Sequence, residues 1–108
     1  GMRVECRAPG GDVNQYLAVS ALIAGGLYGI ERELELPEAL EGNAYTSGAE
    51  KLPTTLAEAA ALFGKSDVAR EAFGDDVVEH YLNNAAVELT AFNSAVTDWE
   101  RVRGFERL

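Results

Sequence analysis

The apolar segment from Tyr16 to Ile30 constrains the fold of this chain more than any other feature. Its large side chains cover most of the circumference of a helix, and the small residues between them allow close packing. A helix that is apolar on most sides normally lies inside a protein. We therefore predict that this helix is central and buried, with Asp12 as its N-cap and Gln15 in the partner position of a capping box.

A short stretch before this helix has the pattern of a β-strand. Charged and apolar side chains alternate through residues 3–7 (RVECR), and a Pro-Gly-Gly sequence at residues 9–11 ends the stretch. The backbone groups of a lone strand have no partners, so we expect this strand to pair with another chain or domain. Cys6 is expected to be a buried, unreactive thiol on its apolar face.

Residues 31–51 are predicted to form a long connection. Pro37, Gly42, Asn43 and Gly48 interrupt this region, and one helical turn is expected over residues 37–40. A connection of this length usually serves a function or contacts another part of a protein.

Two short helices are predicted next. Thr55 and Glu58 form a capping box that opens the first, and Gly64 is expected to end it in the left-handed conformation. Ser66 is the predicted N-cap of the second helix, which ends at Gly74.

A long helix and a short one complete the chain. Apolar residues at three- and four-residue spacing predict a helix that begins at Asp75 or Asp76. Thr97 and Glu100 form a capping box for the last helix. Its aromatic residues Trp99 and Phe105 are expected to pack onto the long helix, and a surface for a partner is the less favoured alternative. The predicted fold is mainly α, an array of four to five helices with one amino-terminal β-strand. It forms a single unit over residues 1–108, in which Gly1 is interpreted as a remnant of tag removal.

The composition of the chain narrows its possible partners. Nine basic and eighteen acidic residues give a net charge of -9, so we expect no nucleic-acid partner. No run reaches the roughly 18 apolar residues of a membrane span, so we expect no membrane partner either. The single cysteine fits a cytoplasmic setting. The acids Asp75, Asp76 and Glu79 are explained by the dipole of a helix start better than by a metal site.

Arg3, Glu5 and Arg7 occupy every second position of the predicted strand, so their side chains should share one face. A carboxylate suits a hard divalent cation, and guanidinium groups suit phosphate or carboxylate groups. Together these groups would suit phosphoryl transfer, which requires neutralised charge and positioned reactants. On spacing alone, an ordinary solvated strand face is the commoner explanation, and both interpretations stay open.

Longer stretches of the sequence resemble the glutamine synthetase family. The matching stretches are RVECR at 3–7, GGD at 10–12, NQYL at 14–17, AGGLYGI at 24–30, LPTTL at 52–56, FG at 73–74 and VTDWE at 96–100. Their order and spacing agree with the family over nearly the whole chain. One departure is Gln15, which follows Asn14 where the family usually has proline.

The resemblance implies the carboxy-terminal fragment of a glutamine synthetase catalytic domain, of the type I-like or gamma-glutamyl-amine ligase branch. It implies that Glu5 ligates the metal associated with the terminal phosphate of the nucleotide. Arg7 is the implied catalytic residue, in contact with glutamate and the reacting phosphoryl group, and Arg3 is implied on the nucleotide side. The implied cofactors of the parent enzyme are ATP and Mg²⁺ or Mn²⁺, none of which the isolated chain is expected to bind.

The implied parent enzyme joins glutamate to ammonia through an acyl phosphate and so forms glutamine in nitrogen metabolism. Its partners would be glutamate and ammonia or another amine, and a gamma-glutamylpolyamine synthetase is an alternative. A non-catalytic helical interaction module is a third possibility, from a different class. We expect a homo-oligomeric parent, and a fragment that is inactive alone and dimerises through its unpaired strand.

Overall fold

The structure is a computed structural model that describes residues 1–107. Its regular elements are five α-helices and one 3₁₀ turn at Ala44–Thr46; the helices are α1 (Gln15–Glu31), α2 (Leu56–Gly64), α3 (Asp67–Phe73), α4 (Asp75–Ser94) and α5 (Asp98–Glu106). The prediction of a mainly α fold with four to five helices is confirmed. None of the described helices has both the length and the apolar character needed to cross a lipid bilayer.

The chain divides into two compact units, Gly1–Leu52 and Pro53–Leu108, here called unit 1 and unit 2. Unit 1 contains α1 and the 3₁₀ turn, and unit 2 contains α2 to α5. That the two units work as the single unit expected from the sequence stays a prediction.

The predicted amino-terminal strand is wrong for the described residues. Residues 3–7 belong to no helix and no strand, and Cys6 is exposed rather than buried. An extended segment becomes a strand only when a neighbouring strand satisfies its backbone N–H and C=O groups. Residues 1–107 contain no such neighbour.

The N-cap of helix α1 lies two residues after the predicted cap position, Asp12. The Asn14 side-chain oxygen accepts hydrogen bonds from the backbone N–H of Tyr16 at 3.0 Å and of Leu17 at 3.3 Å, so Asn14 is the N-cap. The predicted cap at Asp12 is therefore wrong. An N-cap oxygen has to reach the amides of the first turn, and Asn14 lies immediately before that turn.

The predicted burial of α1 is also wrong. Apart from the half-buried Tyr28, its large apolar side chains are exposed, from 45% at Leu17 to 86% at Tyr16. The other regular element of unit 1 is the three-residue turn at Ala44–Thr46, which is too short to cover a helix of 17 residues. Apolar character predicted that α1 needs a covering surface, but unit 1 does not supply one.

The connection after α1 is long, as predicted, but its one helical turn lies elsewhere. The expected turn at residues 37–40 is absent, and Ala44–Thr46 forms the 3₁₀ turn instead. The Asn43 side-chain oxygen accepts a hydrogen bond from the Tyr45 backbone N–H at 3.0 Å and so caps that turn. A local side-chain cap decided its position.

Both capping boxes predicted in unit 2 are confirmed. Thr55 and Glu58 exchange side-chain to backbone hydrogen bonds at the start of α2, and Thr97 and Glu100 do so at the start of α5. Hydrogen bonds from Thr54, the backbone N–H first and then the hydroxyl, together with those from Thr55, lower the pKa of Glu58. Hydrogen bonds from Thr97 lower the pKa of Glu100 in the same way.

The packed core of unit 2 forms where α2 and α3 contact α4. Val78 of α4 is completely buried, and Ala69 of α3 is 7% exposed. Gly74 ends α3 with φ of +82°, as glycine at a helix end is expected to do. Gly64, however, stays within α2, so its predicted left-handed conformation is wrong. A Cβ atom there would lie 3.2 Å from Leu82 Cδ1, so its small size allows α2 to approach α4.

Arg70 links all three helices of this core. Its Nε and Nη2 donate to the Gly64 carbonyl oxygen at 3.2 and 2.9 Å. Its Nη1 donates to Asp75 Oδ1 at 2.6 Å, and Nη2 donates to Glu79 Oε1 at 2.8 Å. The hydrogen bond with Asp75, followed by that with Glu79, raises the pKa of Arg70. These two acids therefore have a partner besides the helix dipole.

The aromatic residues of α5 are exposed. Trp99 is 67% exposed and Phe105 is 84% exposed, so the prediction that they pack onto the long helix is wrong. Arg103 covers part of Trp99 instead, with its guanidinium carbon 5.0 Å from the ring centroid. The apolar face of a helix indicates that another element can pack against it. It does not specify which element does so.

Candidate active-site segment

The structure brings together two of the three predicted site residues. Arg7 Nε donates a hydrogen bond to Glu5 Oε1 at 2.6 Å, and the two side chains form an ion pair. They lie two residues apart in the segment before α1, which belongs to no helix and no strand. The Arg7 side chain is 86% exposed and the Glu5 side chain 57%, so both remain hydrated.

Arg3 is separate from this pair. Its side chain is exposed, and the ion pairs found within residues 1–107 do not include it. The structure thus distinguishes two arginines that have the same sequence spacing from Glu5. The predicted nucleotide-side role of Arg3 stays a prediction.

Glu5 has the right chemistry for one ligand of Mg²⁺ or Mn²⁺, because these cations prefer carboxylate oxygens. No group of three or more potential metal-ligating side chains occurs within residues 1–107. Magnesium sites commonly combine one or two carboxylates with water and substrate phosphates. The chain therefore fits a contribution of one ligand to a metal site, and the remaining ligands have to come from other groups.

A shallow groove lies beside α5 in unit 2. Its lining consists of Trp99, Glu100, Arg103, Gly104 and Arg107. None of these is a predicted site residue, and the groove is formed by a single helix and the residue that follows it. It adds nothing to the chemistry of the amino-terminal segment.

The Glu5–Arg7 ion pair is the site feature that the sequence interpretation missed. That interpretation assigned each residue an external ligand, a metal for Glu5 and the substrate for Arg7. Opposite charges two residues apart in an extended segment were the available signal, because their side chains lie on the same side.

The sequence pattern of the family described as "Glutamine synthetase, catalytic domain" matches residues 1–103. This chain belongs to the glutamine synthetase family. The resemblance seen in the sequence is confirmed, and the match agrees with a carboxy-terminal piece of that domain.

Several curated glutamine synthetase relatives cover almost the whole chain. The gamma-glutamylethanolamide synthetase of Streptomyces coelicolor is 61% identical over 107 residues, which are 99% of this chain and 23% of the relative. The glutamate–isopropylamine ligase of a Pseudomonas species is 42% identical over 94% of this chain and 23% of the relative. The glutamine synthetase of Methanococcus voltae is 37% identical over 93% of this chain and 24% of the relative. The chain thus spans about a quarter of the length of these glutamine synthetase relatives.

Proposed function

We propose that this chain is the carboxy-terminal part of the catalytic domain of an ATP-dependent ligase that joins glutamate to a small primary amine. The observation that carries this proposal is the 61% identity, over 99% of the chain, with a gamma-glutamylethanolamide synthetase. The relative at 42% identity is named a glutamate–isopropylamine ligase. Both names describe an amide formed between glutamate and a small organic amine.

Ammonia is the second candidate acceptor, which would make the parent enzyme a glutamine synthetase. Its support is the 37% identity with the Methanococcus voltae enzyme of that name. The higher identity with the two ligases of organic amines favours an organic amine. A polyamine is the third candidate acceptor and is included in the test below.

In this proposal the three charged residues of the amino-terminal segment serve different ligands. Glu5 supplies one carboxylate oxygen to a Mg²⁺ or Mn²⁺ ion, and Arg7 holds the glutamate and phosphoryl region. Arg3 contacts the nucleotide. The metal ion, when bound, neutralises phosphate charge during phosphoryl transfer. The guanidinium groups orient anionic groups of the reactants through charge-assisted hydrogen bonds.

We further propose that the chain needs the rest of a larger, homo-oligomeric enzyme for activity. It spans 23% of the length of its relative at 61% identity. The exposed apolar surface of α1 also supports this, because contiguous apolar patches usually mark places where further protein packs. The chain alone, given ATP, Mg²⁺ and glutamate with an amine, is expected to release no phosphate.

A chimera tests the proposed role of the segment. In it, this chain replaces the matching stretch of the Streptomyces coelicolor relative, and phosphate release is measured with ATP, Mg²⁺, glutamate and ethanolamine. We expect the chimera to turn over these substrates. Glu5→Gln should lower kcat/KM of the chimera about 10- to 100-fold. The control is Glu35→Gln, which removes an exposed carboxylate from the same unit. A folded, oligomeric chimera without turnover would favour the non-catalytic interaction module.

The amine is tested separately, because a chimera takes part of its specificity from its host. The longest natural protein that carries this sequence is assayed with ethanolamine, isopropylamine, putrescine and ammonia, and the products are identified by mass spectrometry. We expect a higher kcat/KM for a small organic amine than for ammonia. A preference for ammonia would instead support the glutamine synthetase alternative.

A further inference from the structure

The ion pair between Glu5 and Arg7 joins two groups that have separate ligands under the proposed function. Arg7 Nε lies 2.6 Å from Glu5 Oε1 and donates a charge-assisted hydrogen bond to it. The Arg7 side chain is 86% exposed and the Glu5 side chain 57%, so water competes with the ion pair for the hydrogen bonds of both groups. Exposed ion pairs of this kind are weak and exchange readily with other partners.

A divalent cation and the Arg7 guanidinium compete for the same carboxylate. Both are positively charged, and the guanidinium already occupies Oε1 of Glu5. A metal ion that binds this carboxylate through either oxygen neutralises its negative charge and so weakens the ion pair with the guanidinium. Departure of the guanidinium also removes a repulsive charge from beside the metal. The displaced guanidinium then has five donors without a carboxylate partner and is free to bind another anion.

We propose that Glu5 and Arg7 form an exchange pair that couples metal binding to binding of the anionic substrate. Without metal, Arg7 is held by Glu5; when metal binds Glu5, Arg7 is released toward a carboxylate or phosphoryl group. This inference rests on the proposed function, because it takes the metal role of Glu5 and the substrate role of Arg7 from it.

The coupling has to be reciprocal and modest. If metal increases the affinity for the substrate anion by a given factor, that anion increases the affinity for metal by the same factor. Because exposed ion pairs contribute little, the factor should be about two- to fivefold. Arg3 provides a matched comparison, since it has the same spacing from Glu5 but does not pair with it within residues 1–107.

The test measures Mn²⁺ binding to the chimera by electron paramagnetic resonance of free Mn²⁺, without nucleotide or glutamate. We expect Arg7→Gln to tighten Mn²⁺ binding about two- to fivefold, because the competing guanidinium is gone. Arg3→Gln should tighten it less, since it removes a nearby charge without breaking a pair. Circular dichroism and light scattering check the fold and assembly of each variant, and Arg7→Met, which also removes the positive charge, replaces Arg7→Gln if the latter misfolds.

The second measurement is the affinity of the unsubstituted chimera for L-glutamate, by calorimetry, with and without saturating Mn²⁺. We expect glutamate to bind about two- to fivefold more tightly with Mn²⁺. Equal glutamate affinities in the two conditions would overturn the exchange pair.

Glu5→Gln separates the failure of this inference from the failure of the proposed function. If this variant binds Mn²⁺ as tightly as the unsubstituted chimera, the metal role of Glu5 is wrong and the exchange pair falls with it. If Glu5→Gln weakens Mn²⁺ binding while Arg7→Gln and Arg3→Gln have equal effects, the exchange pair alone is wrong.

Discussion

Unit 2 buries apolar side chains in a core between helices, whereas unit 1 leaves most of them exposed. In unit 2, α2 and α3 pack against α4, Val78 is fully buried, and Arg70 connects the three helices. In unit 1, the more uniformly apolar helix α1 leaves its large aliphatic side chains exposed. Apolar content therefore does not make a core by itself. A core forms where several elements of one segment face each other.

The largest expected effect tests whether stability resides in unit 2. Val78→Ala removes two methyl groups from a completely buried site and should lower the free energy of unfolding by about 2 kcal/mol. The matched control is Leu22→Ala in α1, where the side chain is 49% exposed and the change should stay within about 0.5 kcal/mol. Urea unfolding followed by circular dichroism measures both. Equal losses would remove the distinction between the units.

Two glycines with positive φ allow a second comparison of the two units. Gly74 has φ of +82° between α3 and α4, and Gly42 has φ of +92° in the connection of unit 1. Gly74→Ala should destabilise unit 2 by about 1–2 kcal/mol, because a residue with a Cβ is strained there. Gly42→Ala should leave the protection of α4 amides from hydrogen exchange unchanged, since the strain lies outside the packed core. A matching loss of α4 protection in both variants would contradict this.

The two helix N-caps provide a third, smaller test. Thr55→Ala removes the cap of α2 and should cost about 1 kcal/mol of unit 2 stability. Asn14→Ala removes the cap of α1 and should reduce helix content in unit 1 without moving the urea midpoint of unit 2. Amide exchange measured by NMR distinguishes the two helices. If Asn14→Ala also shifted the urea midpoint of unit 2, the stabilities of the two capped helices would be coupled, contrary to this prediction.

The smallest change that we expect is a pH dependence of the stability of unit 2. Its capping hydrogen bonds hold the pKa of Glu58 and of Glu100 below their ordinary value of 4.5. A lowered carboxyl pKa contributes stability above the ordinary value, and this contribution is lost as pH falls through the lowered pKa. Unfolding midpoints should therefore fall on acidification below about pH 4.5, and less steeply in Glu58→Gln, which does not titrate. Identical pH slopes for the two proteins would contradict this assignment.

Much of the helical part of the fold could be predicted because its signals are local. Thr55, Glu58, Thr97 and Glu100 reach one another within a single helical turn, so their sequence spacing specifies their contacts. The same holds for Gly74, whose φ is a property of its own backbone. Family membership also followed from the sequence, because it depends on the order of motifs and not on their packing.

The errors concern contacts between distant residues or with groups outside the described chain. The strand at residues 3–7 needs a neighbouring strand, and the burial of α1 needs a covering surface. Gly64 was predicted to end a helix, but the nearby Leu82 side chain of α4 explains why a residue without a side chain occupies this position. For the candidate site, the sequence suggested Glu5 and Arg7 as ligands but did not show that they bind each other.

The positions of the helices, most of their caps and the family follow from the sequence, because each depends on residues close together in the chain or on motif order. Three features emerge only in the folded chain: which apolar faces are covered, the contacts of Arg70 with three helices, and the pairing of Glu5 with Arg7 rather than Arg3. Burial and ion pairing depend on which surfaces and charges meet in space, and a pattern along the chain does not contain that information.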